Sequence, residues 1–132
     1  MRFPLILLLI LSLSSCYNAE RSCDDFRTGS FEFETMVGTE IQTTTFVRKD
    51  SIEIDYFRGK ADTSYVRWIN DCEWISVKKN PVNMAEEQAI HFKILSTTGD
   101  SYDFQYKKVI KKENEKMTVF RGTARKTTDN FE

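Results

Sequence analysis

The stretch "AIHFKILSTTGDSYDFQYK", residues 89–107, decides the fold. Ile90, Phe92 and Ile94 alternate with His91 and Lys93, and Tyr102, Phe104 and Tyr106 alternate with Asp103 and Gln105. Thr98-Gly99-Asp100 lies between the two runs. A period of two puts apolar side chains on one face and polar ones on the other, as a half-buried strand requires. Two such runs joined through a short glycine turn form a β-hairpin.

The same alternation extends outward in both directions. "SFEFET" sets Phe31 and Phe33 against Glu32 and Glu34, and "SIEIDYF" sets Ile52, Ile54 and Tyr56 against Glu53 and Asp55. Weaker strand patterns occupy "EIQTTTFVRK", "TSYVRWI", "CEWISVKK" and "MTVFRGTARKT". Turn chemistry separates them at Gly38, Lys49-Asp50, Gly59 and Asn70-Asp71. About eight antiparallel strands in an up-and-down meander follow, in an all-β domain. They form a small closed or half-open, lipocalin-like barrel, with a two-sheet sandwich as the competitor. "NPVNMAEEQ", residues 80–88, breaks the pattern; Asn83 as an N-cap predicts one short helical turn near 82–88.

The N-terminal segment has a different character. Arg2 precedes an apolar run over residues 5–13, about half the length a membrane-spanning helix needs. Residues 1–15 therefore read as a signal peptide. Leu13, Ser14, Ser15 and Cys16 resemble the lipobox of bacterial lipoproteins. The resemblance implies cleavage before Cys16 and lipidation of its thiol. Two or three acyl chains, at about 0.8 kcal/mol per buried methylene, hold a protein on a membrane durably. Residues 16–25 are then a lipidated tether, 26–127 the barrel domain and 128–132 a frayed tail. Removal of the leader leaves Cys23 and Cys72 in an oxidising compartment, where thiols pair. A Cys23–Cys72 disulfide is expected, two buried free thiols being the alternative.

"CDDFRTGSFEF", "TTTFVRKDSIEIDYFRGKADTSYVRWINDCEW" and "NPVNMAEEQAIHFKILSTTGDSY" resemble a family of small lipoproteins of flavobacterial (Bacteroidota) type. The resemblance covers most of the mature chain. It implies a cell-envelope address on the outer membrane and brings no activity and no site residues. A "DNA topoisomerase IV" label attached to some such sequences does not fit. That enzyme needs large DNA-gate and ATPase domains, and this chain has 132 residues. Just after Cys16, "YNAER" offers only Glu20 as an acid, which favours a periplasm-facing position.

Composition narrows the function classes. The formal charge is −1 with both signs mixed along the chain, so no basic footprint suggests nucleic acid. The basic run Lys107, Lys108, Lys111 and Lys112 is diluted by Glu113 and Glu115 and reads as a solvated hairpin end. There is no Gly-x-Ser-x-Gly, no phosphate-binding glycine loop and no Cys-x-x-Cys. His91 is the only histidine and shares the outer face with Lys93, so no metal or catalytic role is assigned to it. Cofactors and enzymatic activity are not expected.

The aromatic residues carry the remaining signal: ten Phe, five Tyr and two Trp. Such a set either fills a compact core or coats an apolar cavity. Trp68 and Trp74 should meet across their hairpin, and with Phe92 and Phe104 they are the candidate pocket or core residues. The need of a small barrel for bulky filler favours a core pair packed on the disulfide over a ligand wall. Glu53, Asp55 and Asp103 read as solvated outer carboxylates, unless the barrel is open and polar inside, in which case they line it. Two functions are consistent with this. One is a membrane-anchored module that binds a small apolar ligand or an envelope protein. The other is an assembly accessory with a filled core.

Overall fold

A computed structural model of the chain describes residue 19 and residues 21–128. The expected signal peptide, the lipidated Cys16 and the last four residues lie outside the described residues. The order is a 3-10 turn (Cys23–Phe26), β1 (Gly29–Val37), β2 (Glu40–Arg48), β3 (Ile52–Phe57) and β4 (Lys60–Asn70). Then follow β5 (Glu73–Lys78), β6 (Ile90–Thr98), β7 (Ser101–Lys108) and β8 (Phe120–Thr127). Each strand pairs antiparallel with the next, and β8 pairs back onto β1 from Ser30↔Thr127 to Phe33↔Ala124. The meander is a closed barrel. Closure satisfies the edge backbone groups that an open sheet would leave bare.

Turn chemistry sets the register. Arg58 and Gly59 both have positive φ, the geometry of a two-residue hairpin loop whose twist matches its strands. The turn expected at Asn70-Asp71 is at Asp71-Cys72, between β4 and β5. A bulge between Trp68 and Asn70 takes up the extra residue and leaves Ile69 exposed. The Asn70 side chain holds the turn, accepting from the Cys72 N–H (2.9 Å) and donating to Glu73 (2.7 Å). Because the bulge absorbs one residue, Trp68 still sits opposite Trp74.

At 82–88 the chain makes the one short turn expected there, headed by Asn83. Asn83 Oδ1 accepts from the Glu86 N–H at 2.9 Å, and its carbonyl accepts from Glu86 and Glu87. Helix nucleation is costly, and the turn extends only as far as the Gln88 N–H on the Ala85 carbonyl at 3.4 Å. One local expectation needs correction: residues 21–25, expected as tether, belong to the fold. Arg21 donates to the Ile94 carbonyl, the Ser22 N–H donates to Thr97 Oγ1, and Cys23 and Phe26 are buried.

The turn Cys23–Phe26 plugs one end of the barrel. Phe26 stacks on Tyr102 at 5.1 Å between ring centroids and touches Phe31. Around it the core closes with Phe31, Trp74, Ile94, Tyr102 and Ala124, all almost inaccessible. Cys23 and Cys72 form the expected disulfide, with Cα atoms 5.3 Å apart. It fastens the plug to the β4–β5 turn. Breaking it by a Cys72→Ser substitution should cost about 4 kcal/mol, the loop-closure value for a span of 49 residues. Urea denaturation of oxidised and variant protein measures this. An unchanged midpoint would mean that the plug is held by packing alone.

Candidate functional site

The barrel is solid at the plugged end and hollow beyond it. A cavity of about 240 Å³ is lined by Phe33, Phe46, Trp74, Phe92, Phe104 and Tyr106, with Thr44, Arg48, Glu53, Asp55 and Tyr102 among them. The strand period delivers the rings: Phe33 on β1, Trp74 on β5, Phe92 on β6, and Phe104 and Tyr106 on β7 all occupy inward positions. Trp74 and Phe92 stack at 5.2 Å, and Phe92 stacks on Tyr106 at 5.3 Å. Gly122 of β8 leaves room for a ring: a Cβ there would stand 2.9 Å from Phe104 Cζ.

Of the four aromatics expected to form a pocket or core, Trp74, Phe92 and Phe104 line the cavity. Trp68 does not. It packs on Trp74 at 4.8 Å, under the Arg27 guanidinium. Both indole N–H groups are buried without an acceptor among the described residues, so the pair is held by packing and cation–π contact.

Of the polar floor of the cavity, Glu53 and Asp55 take the alternative of a polar interior, and Arg48 was not anticipated. Arg48 ends β2 and is 2 % exposed. Its Nε donates to Glu53 Oε2 (2.7 Å), Nη1 to the Phe26 carbonyl (2.8 Å) and Nη2 to the Tyr102 hydroxyl (3.0 Å). The guanidinium carbon lies 4.3 Å from the Trp74 ring centroid and within 6 Å of Phe31, Phe46, Trp68 and Tyr102. Burial alone would drive the group toward its neutral form. Tyr102 and Glu53 more than offset that, and its pKa is held above the ordinary arginine value.

This pairing inverts the expected faces of β3. The register sets Glu53 opposite Arg48 and Asp55 opposite Phe46, so both carboxylates point inward. Ile54, expected in the core, is on the outer face opposite Val47, and Ile52 pairs with Tyr65 there. An alternating strand defines two faces but not which is inner. Here the buried charge of Arg48 decides, because leaving it without a carboxylate costs more than the outward turn of two half-covered isoleucines. The signal was present in the sequence: Arg48 shares the parity of Thr44 and Phe46. Asp103 is on the outer face as expected, accepting from Ser96 (3.0 Å) and Thr123 (2.6 Å).

Asp55 accepts no hydrogen bond from any described residue, and it faces the cavity. Burial, then the negative neighbours Glu53 and Asp62, push its carboxyl up to about 8. Nearer the barrel rim, Lys78 is held by Asp62 (2.6 Å) and Glu86 (2.9 Å). His91 is on the outer face, 3.0 Å from Glu73. Among the described residues no cluster of His, Cys, Asp and Glu could hold a metal ion, and no helix is long and apolar enough to cross a membrane. Of the basic run, Lys108 pairs with Glu115 at 2.9 Å, and Lys107, Lys108 and Lys111 border a second recess of about 230 Å³ under the β7–β8 loop. No protein-family model matches this sequence, and no curated protein is detectably similar to it.

Two outcomes follow from the floor. Replacing Arg48 with Met strands Glu53, the Phe26 carbonyl and the Tyr102 hydroxyl, and should destabilise the fold by about 3–5 kcal/mol in urea titrations. Adding Glu53→Leu to that variant should recover most of the loss, since no uncompensated charge remains. Equal destabilisation by the double variant would show that the charge pair is not the deciding contact. The second outcome concerns pH. The Asp55 carboxyl binds its proton more tightly folded, at about 8, than unfolded, at about 4. Its contribution is therefore complete in acid and declines as pH rises through that window. Wild type should lose a few kcal/mol across the interval that Asp55→Asn does not lose, read from denaturation midpoints. Parallel curves would remove Asp55 from the interior.

Proposed function

We propose that this chain is an envelope lipoprotein, tethered through Cys16, whose barrel holds a small and mainly apolar ligand. The observation that carries the reading is the hollow half of the barrel: about 240 Å³ walled by aromatic rings, above a floor of buried residues. Interiors are normally close-packed, and a void walled by rings forgoes their contacts. Selection for packing alone would fill it. The volume is slightly below the ~300 Å³ where pockets for drug-sized ligands begin, so the occupant is small. The resemblance to flavobacterial lipoproteins supports the address, and the leader and lipobox support the anchor.

A second reading also has an observation behind it. Met36 and Ile41, Phe57, Val82, Met84 and Ile110 are exposed on the turns at the end opposite the plug. A crown of apolar side chains around the mouth suits contact with an envelope protein that delivers or receives the ligand.

The anchor and the cavity are tested separately. With intact Cys16 the protein should incorporate labelled palmitate and sediment with membranes. Cys16→Ala should do neither, and a labelled, membrane-bound variant would refute the anchor. The chain from residue 17 onward, which keeps every described residue, serves for the binding test. In that chain, benzyl alcohol should change tryptophan fluorescence saturably, because Trp74 is in the wall. Thr44→Leu, which narrows the cavity, should weaken the response and raise stability by up to about 1 kcal/mol. A response unaffected by narrowing would place binding elsewhere.

A further inference from the structure

We propose that the ligand of this cavity is a small organic cation, a primary ammonium group on an apolar body, with the ammonium on Asp55 and the body among the upper aromatic rings. The inference rests on the ligand-binding reading above and deepens it.

The charges facing the cavity exclude the opposite choice. Arg48 is the cation of the floor, and its Nε, Nη1 and Nη2 already serve Glu53, Phe26 and Tyr102. Its charge is matched by Glu53. An anionic ligand would therefore meet a neutralised guanidinium and the second carboxyl of Asp55. Lys78, nearer the rim, is drawn to Asp62 and Glu86. With Asp55 ionised, the floor pair and Asp55 together carry one unmatched negative charge, which only a cation complements.

The rings divide in the same way. Five of them, Phe31, Phe46, Trp68, Trp74 and Tyr102, surround Arg48 within cation–π range. Phe33, Phe92, Phe104 and Tyr106 line the cavity and have no cation over their faces among the described residues. A desolvated aromatic face attracts positive charge through its quadrupole. So the protein supplies a guanidinium to the lower rings and none to the upper ones, beside a carboxyl that lacks a donor.

Charge balance makes the binding measurable. Asp55 is faced by Glu53 on its own strand, Arg48 from β2, Asp62 from β4, Lys78 from β5 and Tyr102 from β7. In the empty cavity near neutral pH the carboxyl keeps its proton. An incoming ammonium displaces that proton to solvent and pairs with the carboxylate. If the amine enters neutral, the Asp55 proton transfers to its nitrogen, and the same ion pair results.

The test uses the chain from residue 17 and three probes of one shape: benzylammonium, benzyl alcohol and benzoate. Calorimetry at neutral pH, in buffers of different ionisation enthalpy, reads affinity and proton release together. The expected result is that benzylammonium binds at least about tenfold tighter than benzyl alcohol, as a charge-assisted bond provides. Benzoate should not bind, and close to one proton should leave per cation bound. In Asp55→Asn the ratio of ammonium to alcohol affinity should collapse toward one. The proton count in wild type needs no variant and stands if Asp55→Asn fails to fold. Should the alcohol or benzoate bind as well as the ammonium, or the cation bind with no proton released, the assignment is overturned while the cavity remains a ligand site. Should none of the three bind, both readings fall.

Discussion

A guanidinium taken out of bulk solvent must be satisfied by the protein, and Arg48, 2 % exposed, is that guanidinium. Its three donating nitrogens reach the plug, β3 and β7 at once. A buried ion pair of this kind adds little net stability against an apolar alternative, but removing one partner is severe. Its effect is to specify geometry. The plug carbonyl has to sit over the barrel end, Glu53 has to turn inward, and Tyr102 has to present its hydroxyl to the core. Burial raises the Tyr102 pKa, so the hydroxyl keeps its proton there.

The character of the cavity follows from that one pair. Asp55 is two residues beyond Glu53, so strand parity carries it to the same inner face. Once Arg48 has drawn Glu53 inside, a second carboxyl enters the barrel with it, one step nearer the mouth and without a hydrogen bond from the guanidinium. The acid among the upper rings is thus a geometrical consequence of the ion pair among the lower ones. Size complementarity sets where the void begins. Gly122 and Ala124 of β8 face Phe104 and Tyr102 across the β7–β8 register, and these small residues accommodate the two large rings of β7. Toward the mouth Tyr106 stacks on Phe120 at 5.1 Å, and Phe33, Phe92 and Tyr106 line the opening of the cavity.

Most of the architecture was legible in the sequence because alternation, turns and cysteine count each rest on one local rule. Phe31 and Phe33, Phe92 and Ile94, and Tyr102 and Phe104 occupy the inner face that period two assigns them, and Cys23 meets Cys72. The errors share a cause. In β3 both faces carry partly covered residues, so alternation left two equivalent solutions, and the choice rested on Arg48, a residue of the preceding strand. At Asn70 a bulge of one residue moved the turn without changing the inward set, which no local propensity reveals. The 3-10 turn Cys23–Phe26 reads as polar tether from its neighbours. It is ordered by tertiary partners far away in sequence: Thr97 and Ile94 for its lead-in, Tyr102 for Phe26 and Cys72 for Cys23. The candidate site was legible as aromatic, and as acidic only in the alternative of a polar interior, since the choice came with the inverted strand.

The plug also orients the barrel with respect to the proposed anchor. Arg21 and Ser22 are fixed to β6 at the plugged end. Arg21 lies five residue steps after Cys16, a reach of at most ~18 Å fully extended. The longest strand, β4, has 11 residues, and at ~3.3 Å per residue it runs about 36 Å. A lipid on Cys16 therefore keeps the plugged end at the bilayer, and an upright barrel holds its mouth away from that leaflet. An occupant of the cavity then arrives from the aqueous side or from a protein seated on the exposed crown, not by sliding up out of the anchoring membrane. A small ammonium ligand, soluble in water and desolvated only on meeting Asp55 and the upper rings, suits that direction of entry better than a lipid tail does.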